Sequence, residues 1–247
     1  MKKPSAPPLP VPPPSGPQSL GWGWRAVAAT MAFTVVATVV LAFVIRGLAS
    51  MFGFKPGTAL VSPVLYLLGT AIYLAVIAGV YLFAARRAGW AALGLRAAHW
   101  SSYILVVPLF VLEVFAIFTV NTQIRRLVGS FENPQMDAIT GGQALSRGDV
   151  AMLLVLIAGL VPFAEELFFR GMLYPLLRQR FGALGAVIFS AAIFAGVHFI
   201  PILLPALFIV GLCLAFLRER SGTIWPGVCL HALQNGMVII ALGATTA

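Results

Sequence analysis

Three ionisable residues, Glu165, Glu166 and Arg170, lie within an otherwise apolar stretch of this chain. On insertion scales, one charged side chain at the middle of a membrane-spanning helix costs roughly 2.5–3.5 kcal/mol. Glu166 and Arg170 are four residues apart and share a helix face, so they can form an ion pair. Glu165 is turned roughly 100° away. The spacing predicts either a purely structural or pore-lining charge cluster, or an ion pair beside a cavity-facing carboxylate that can act as a general base.

Two histidines and an asparagine add further polar groups to apolar segments. His198 ends the sequence Phe-Ala-Gly-Val-His, and His231 lies four residues before Asn235, on the same helix face. A polar group in hydrocarbon needs a partner, and the most economical arrangement makes these groups partners of Glu165 around one water-containing pocket. The third histidine, His99, is interpreted as an interfacial residue.

The composition is that of a polytopic membrane protein. Apolar residues make up 60% of the 247 residues and charged residues 9%, whereas soluble domains carry about 25% charge. The net charge of +9 comes from basic residues between apolar runs. These are interpreted as orientation signals and contacts with lipid headgroups, so the bilayer, and not nucleic acid, is the expected partner. Cys213 and Cys229 form no C-x-x-C pair and are expected to be small core residues.

Seven apolar runs are long enough, or nearly so, to span the bilayer. They cover residues 26–45, 60–84, 102–121, 150–169, 184–199, 202–217 and 224–243. The fifth and sixth are short and are joined by His198-Phe199-Ile200-Pro201, which predicts a hairpin with its tip inside the membrane. The predicted fold is an all-α, polytopic membrane helix bundle of about seven transmembrane helices, with a catalytic core in the last four.

Three regions are expected along the chain. Residues 1–20 are a proline-rich tail predicted to be disordered. Residues 21–149 hold three accessory helices, an interfacial segment and a polar loop, and residues 150–247 form the core. With the N-terminus inside, eleven Lys and Arg residues face the cytoplasm and five face outside. This asymmetry predicts a multi-pass cell-membrane protein with a cytoplasmic N-terminus.

The polar residues of the last four runs occur in three motifs. These are Glu-Glu-x-x-x-Arg at 165–170, Phe-x-x-x-His at 194–198 and His-x-x-x-Asn at 231–235. In this order, the motifs resemble those of the CAAX prenyl protease and bacteriocin-processing family of intramembrane proteases, over roughly residues 150–243. The resemblance implies an endopeptidase that hydrolyses a peptide bond of a membrane-associated peptide or protein.

The same resemblance implies roles for individual residues. Glu165 and His198 would activate the attacking water, His231 and Asn235 would stabilise the oxyanion, and Glu166 and Arg170 would support the site. Such a division of tasks agrees with general base catalysis and oxyanion stabilisation. The family has often been described as metalloproteases, and if zinc is used, Glu165, His198 and His231 are the candidate ligands. The chain has no H-E-x-x-H motif, which favours activation of water without a metal.

Two other function classes stay open, together with one geometric difficulty. The chain could be a non-catalytic scaffold or bacteriocin-immunity protein of the same family, or a proton-coupled carrier. For the protease, substrate access is expected from the cytoplasmic side. Counting from the predicted helix ends places Glu165 near that side, ~22 Å from the outer end. His198 lies ~21 Å from the cytoplasmic end of its own helix, so the two depths do not match.

Overall fold

The fold is a bundle of long apolar helices. A computed structural model of the chain describes residues 20–54, 57, 59–131 and 133–246, so nearly all of the predicted proline-rich tail lies outside the described residues. Within these ranges every regular element is a helix. Six helices are long and apolar enough to cross a membrane. The prediction of an all-α, polytopic membrane bundle is confirmed.

The long helices alternate with short turns and one short helix. In chain order they are α1 (Trp24–Met51), α2 (Pro63–Ala88), α3 (Ser101–Val128), the short α4 (Pro134–Thr140), α5 (Arg147–Gly196), α6 (Leu204–Ser221) and α7 (Trp225–Thr246). α1 packs along α2, α6 packs along α5, and α3, α6 and α7 contact one another. The interfacial stretch between α2 and α3 contains a 3-10 turn, Trp90–Leu93.

The predicted count of seven spans is not confirmed, because α5 contains both the fourth and the fifth predicted runs. Helical structure continues beyond residue 169, where the fourth run was predicted to end. This extension packs in the core, where Leu176 and Leu177 are buried. The helix is interrupted only at Gly182, whose φ of 70° and ψ of −176° are not helical.

The chain reverses direction at Gly182. The rings of Phe169 and Phe194 lie 5.2 Å apart, although 25 residues of straight helix would separate them by about 37 Å. We therefore describe α5 as two antiparallel parts, α5a (residues 147–181) and α5b (residues 183–196). Only a residue without a side chain adopts this backbone conformation readily, which explains the glycine.

α5b and α6 form the hairpin expected from the sequence. Gly211 of α6 lies so close to α5b that a Cβ atom on it would be 2.7 Å from the Ala191 Cα atom. The connection between the two helices contains His198, an exposed Phe199 with a positive φ of 54°, and a 3-10 turn at Pro201–Leu203. This tight packing holds His198 at the end of α5b.

The predicted polar loop, residues 121–149, is partly helical. α3 continues to Val128, and α4 lies inside the loop. The amide groups of Leu60 and Val61 donate hydrogen bonds to the carbonyl groups of Ala138 and Ile139, 2.9 and 3.3 Å long, which attach α4 to the start of α2. α4 therefore covers one end of the bundle.

Candidate active site

The two glutamates lie on an irregular part of α5a. The α-helical turn Val161–Glu166 is flanked by two π-helical segments, Leu154–Leu160 and Leu167–Leu173. Pro162, which has no amide hydrogen, lies in this turn, so the regular hydrogen-bond pattern cannot pass through it. π-helical turns occur frequently at functional sites. α2 and α7 contact the turn that carries the glutamates.

Arg170 and Glu166 form a fully buried ion pair. The Arg170 Nη1 atom donates to Glu166 Oε1 at 2.8 Å, and neither side chain is exposed. Arg170 Nη2 donates to the Gly211 carbonyl at 3.0 Å, so the pair also joins α5a to α6. A buried charge without a partner would be strongly destabilising. The ion pair that the four-residue spacing indicated is present in the structure.

Phe194 contacts the charged and imidazole side chains of the site. The Arg170 guanidinium lies over its ring at 4.6 Å, within the range of a cation–π interaction. The His198 and His231 rings pack edge-on against it, with centroid distances of 5.0 and 5.8 Å. Because Phe194 is only 1% exposed, both imidazoles pack against a fully buried apolar ring.

Glu165 points away from the ion pair, toward α2 and α7. Its Oε1 atom accepts a hydrogen bond of 3.1 Å from the Tyr73 hydroxyl. Its Oε2 atom lies 3.8 Å from His231 Nε2, and His231 Nδ1 lies 3.7 Å from Glu166 Oε1. The His231 ring is thus placed between the two carboxylates, at distances slightly longer than hydrogen bonds.

The other two predicted site residues each have one backbone partner. His198 Nδ1 is 2.7 Å from the Phe194 carbonyl oxygen, which can only accept, so this nitrogen donates. In the neutral tautomer with this hydrogen bond, Nε2 of His198 is the acceptor nitrogen. The Asn235 side-chain amide donates to the Ile157 carbonyl at 2.9 Å, which leaves its second N–H available.

One cavity of about 570 Å³ connects these groups, and Glu165, His198, His231 and Asn235 all line it. Most of its remaining wall is apolar, from α2, α3, α5 and α6. The cavity extends from Glu165 to α4, whose residues Gln135 and Ile139 also line it. It therefore reaches the end of the bundle that α4 covers, which the predicted orientation places outside the cell.

Two polar residues of this region were not found by the sequence analysis. Tyr73 gives no signal in the sequence, because a tyrosine in an apolar helix is usually an interfacial or core residue. Glu113 does give one, as a carboxylate within the third predicted span. It is fully buried in α3, and neither of its oxygens has a hydrogen-bond partner among the described residues. Ile117 and Asn121, one and two turns further along the same face, line the cavity.

The remaining residues singled out in the sequence lie outside the site. His99 is exposed, and its Nδ1 atom is 2.8 Å from the Ser101 hydroxyl. Cys213 and Cys229 are partly buried and not joined in a disulfide.

The side chains as placed do not fit the zinc site considered above. Across residues 20–246, apart from the few positions not described, no three His, Cys, Asp or Glu side chains converge closely enough to hold a metal ion. Glu165, His198 and His231 share a cavity without forming such a cluster.

Residues 147–237 match the family model described as Type II CAAX prenyl endopeptidase Rce1-like. This part of the chain is therefore similar to the CAAX protease family. The match begins with α5 and ends within α7, so it contains every predicted site residue and excludes α1 to α3. No curated protein and no solved structure matches the chain. The resemblance inferred from the three motifs is confirmed, and the chain is a protease-like, multi-pass membrane protein.

Proposed function

We propose that this protein is an intramembrane endopeptidase that hydrolyses a peptide bond of a membrane-associated peptide or protein. One observation carries the proposal: the Glu165 carboxylate lies 3.8 Å from His231 in a cavity that His198 and Asn235 also line. Purely structural polar residues would pair directly with one another, whereas these four surround a space that a substrate carbonyl and a water molecule can enter.

In the proposed reaction, water is held between Glu165 and the free Nε2 of His198. The water oxygen attacks the peptide carbonyl carbon while one of its protons passes to this acid–base pair. The carbonyl oxygen gains negative charge, which N–H groups of His231 and Asn235 stabilise. When the carbon–nitrogen bond breaks, the departing amine takes up the transferred proton, and the new carboxyl group is released.

The surroundings of each residue support this assignment. The hydrogen bond from His198 Nδ1 to the Phe194 carbonyl selects the tautomer that a base requires. Arg170 neutralises Glu166, so Glu165 is the carboxylate left to exchange protons. Water activation by these side chains needs no metal. Treatment with a chelator should leave activity unchanged, and a loss restored by zinc would show that a metal takes part.

The test is cleavage of reporter peptides by the purified full-length chain in detergent, comparing Glu165→Gln with Glu219→Gln. Glu219 lies in the last turn of α6, where it accepts hydrogen bonds from Tyr174 and Arg178 outside the cavity. Removing an essential base costs about 10²–10⁴ in rate, so Glu165→Gln should abolish measurable turnover while Glu219→Gln retains it.

Thermal unfolding of both variants shows whether either fails to fold. Equal cleavage by Glu165→Gln and the unmodified protein would contradict the role of Glu165. If the unmodified protein cleaves no peptide from a broad membrane-derived set, the non-catalytic scaffold or immunity protein becomes the better description.

A further inference from the structure

A second cavity, of about 420 Å³, lies at the opposite end of the bundle from α4. It is an open cavity formed by residues just before α1, at the end of α2, in the interfacial stretch after α2, and at the turn between α6 and α7. Its wall consists of small or apolar residues and two cations, Arg96 and Arg218, and none of the described residues lining it is acidic. Two guanidinium groups that share a cavity without a carboxylate repel each other unless an anion is bound between them.

Both guanidinium groups are held by backbone atoms. Arg218 Nε donates to the Arg170 carbonyl at 2.8 Å, and Arg96 Nη2 donates to the Gly222 carbonyl at 3.4 Å. Each lies against a glycine with positive φ: a Cβ atom would be 3.2 Å from the Arg218 guanidinium at Gly94 and 2.7 Å from Arg96 Nη2 at Gly222. Glycine at these positions lets the two cations approach the backbone closely. Arg218 is part-buried and Arg96 is exposed at the cavity rim, and backbone contacts position both guanidinium groups toward the same cavity.

The acidic residue next to Arg218 in the sequence, Glu219, is hydrogen-bonded to other side chains. Glu219 follows Arg218 in the chain, but its two carboxylate oxygens accept hydrogen bonds from Arg178 and Tyr174, all between 2.8 and 3.0 Å. Arg218 forms no ion pair within 4.0 Å among the described residues, and neither does Arg96. Apart from the N–H groups that donate to the Arg170 and Gly222 carbonyls, their guanidinium donors are therefore available to an anion inside the cavity.

We propose that Arg96 and Arg218 form a binding site for a phosphate group. Arginine presents paired N–H donors whose geometry matches phosphate oxygens, and charge-assisted bonds of this kind are the strong ones. The cavity lies at the end of the bundle that carries most of the Arg residues, where Trp22 and Trp90 also occur. Phosphate at this level can come from the headgroup of an anionic phospholipid or from free phosphate in solution.

The experiment measures binding of phosphatidylglycerol to the purified full-length chain in detergent by native mass spectrometry. In a parallel arm, inorganic phosphate is titrated at constant ionic strength, with the thermal unfolding midpoint as readout. Arg96→Gln is compared with Arg87→Gln, which removes the same charge from an exposed residue of the same region that does not line the cavity. Arg96 is preferred to Arg218 because Arg218 also supports Arg170.

Arg96→Gln should weaken binding about tenfold or more, the expected loss for a hydrogen bond to a charged group, while Arg87→Gln should change it less than about twofold. Dependence on Arg96 for phosphatidylglycerol alone identifies a lipid headgroup as the ligand. The same dependence for inorganic phosphate shows that free phosphate is sufficient. Equal effects of the two variants, or no binding of either probe to the unmodified protein, would overturn the proposal.

A second pair of variants keeps the test valid if Arg96→Gln does not fold. Ala92 lines the cavity and is exposed, and Ala97 is exposed without lining it. Ala92→Glu introduces a carboxylate beside the two guanidinium groups and should abolish binding, whereas Ala97→Glu should not. Binding that withstands Ala92→Glu would exclude this cavity as the phosphate site.

Discussion

The two adjacent glutamates differ in their partners. Arg170 neutralises Glu166 at 2.8 Å inside the core, while Glu165 receives one neutral donor, the Tyr73 hydroxyl, at 3.1 Å. Adjacent residues on a helix point roughly 100° apart, so their environments can differ completely. Glu166 therefore has a structural role in the ion pair, and Glu165 lies at the cavity wall.

Replacing Tyr73 by phenylalanine tests this second carboxylate. The change removes the hydroxyl that donates to Glu165 Oε1 and leaves the ring in place. A hydrogen bond to a charged group contributes about 1.5–3 kcal/mol, so we expect kcat for reporter cleavage to change by roughly tenfold or more.

Tyr66→Phe provides the matched control for Tyr73→Phe. Tyr66 lies on the same helix, and its hydroxyl donates to the Met152 carbonyl at 3.1 Å, away from Glu165. Its removal should leave kcat nearly unchanged. The same kcat for both variants would mean that the hydrogen bond to Glu165 has no part in turnover.

At the scale of elements, the site depends on how closely α7 approaches α5a. His231 is carried by α7, and it lies between Glu165 and Glu166 only because the two helices are nearly in contact. Gly227, one turn before His231, permits this distance: a Cβ atom there would lie 2.7 Å from Glu166 Oε2. A side chain at residue 227 must therefore displace Glu166 or α7.

Gly227→Ala should destabilise the protein although alanine is the better helix former. Overpacking typically costs 1–3 kcal/mol, which exceeds the roughly 1 kcal/mol that alanine gains in helix propensity. The thermal unfolding midpoint in detergent should fall, and peptide cleavage with it, because the ion pair of Glu166 is disturbed.

Gly236→Ala is the corresponding change on the same helix where space is available. The nearest atom to a Cβ there is the Ala158 Cβ, 3.6 Å away, which is an ordinary contact. This variant should be as stable as the unmodified protein or more stable. A higher unfolding midpoint for Gly227→Ala than for Gly236→Ala would show that close packing at residue 227 does not limit stability.

At the scale of the whole molecule, the reversal at Gly182 determines where the site residues meet. Glu165 lies 17 residues before Gly182 and His198 lies 16 residues after it, so both are at nearly the same distance from the turn. The mismatch in depth calculated from the sequence disappears, because α5a continues to residue 181 instead of ending near residue 169. The cavity that joins these residues then extends to α4.

The predicted orientation places α4 outside the cell, and cysteine labelling can test it. With Cys213 and Cys229 replaced by alanine, Gln143→Cys beside α4 should react with a membrane-impermeant maleimide on intact cells. Ala97→Cys, in the interfacial stretch, should react only after the cells are opened. Both positions are exposed on the protein surface. The side of the membrane on which each lies, and not its burial in the protein, therefore decides whether the maleimide reaches it. Labelling of Ala97→Cys alone on intact cells would reverse the orientation and place the cavity at the cytoplasmic end.

The sequence by itself determined the class of protein and the local geometry of each motif. An apolar fraction of 60% requires a membrane bundle, and a spacing of four residues places Glu166 beside Arg170 in any helix. The motifs also identified Glu165, His198, His231 and Asn235, which line one cavity in the structure, although their catalytic roles stay predictions. These features depend only on composition and on contacts within one helix.

Only the tertiary structure decided how distant segments meet. Tyr73 bonds to Glu165, and Phe194 packs against Arg170 and His231, across helical segments that no local pattern relates to one another. These contacts depend on where a helix ends and on how closely two helices approach. Both are decided by single residues such as Gly182 and Gly227, whose role becomes visible only once the neighbouring helix is in place.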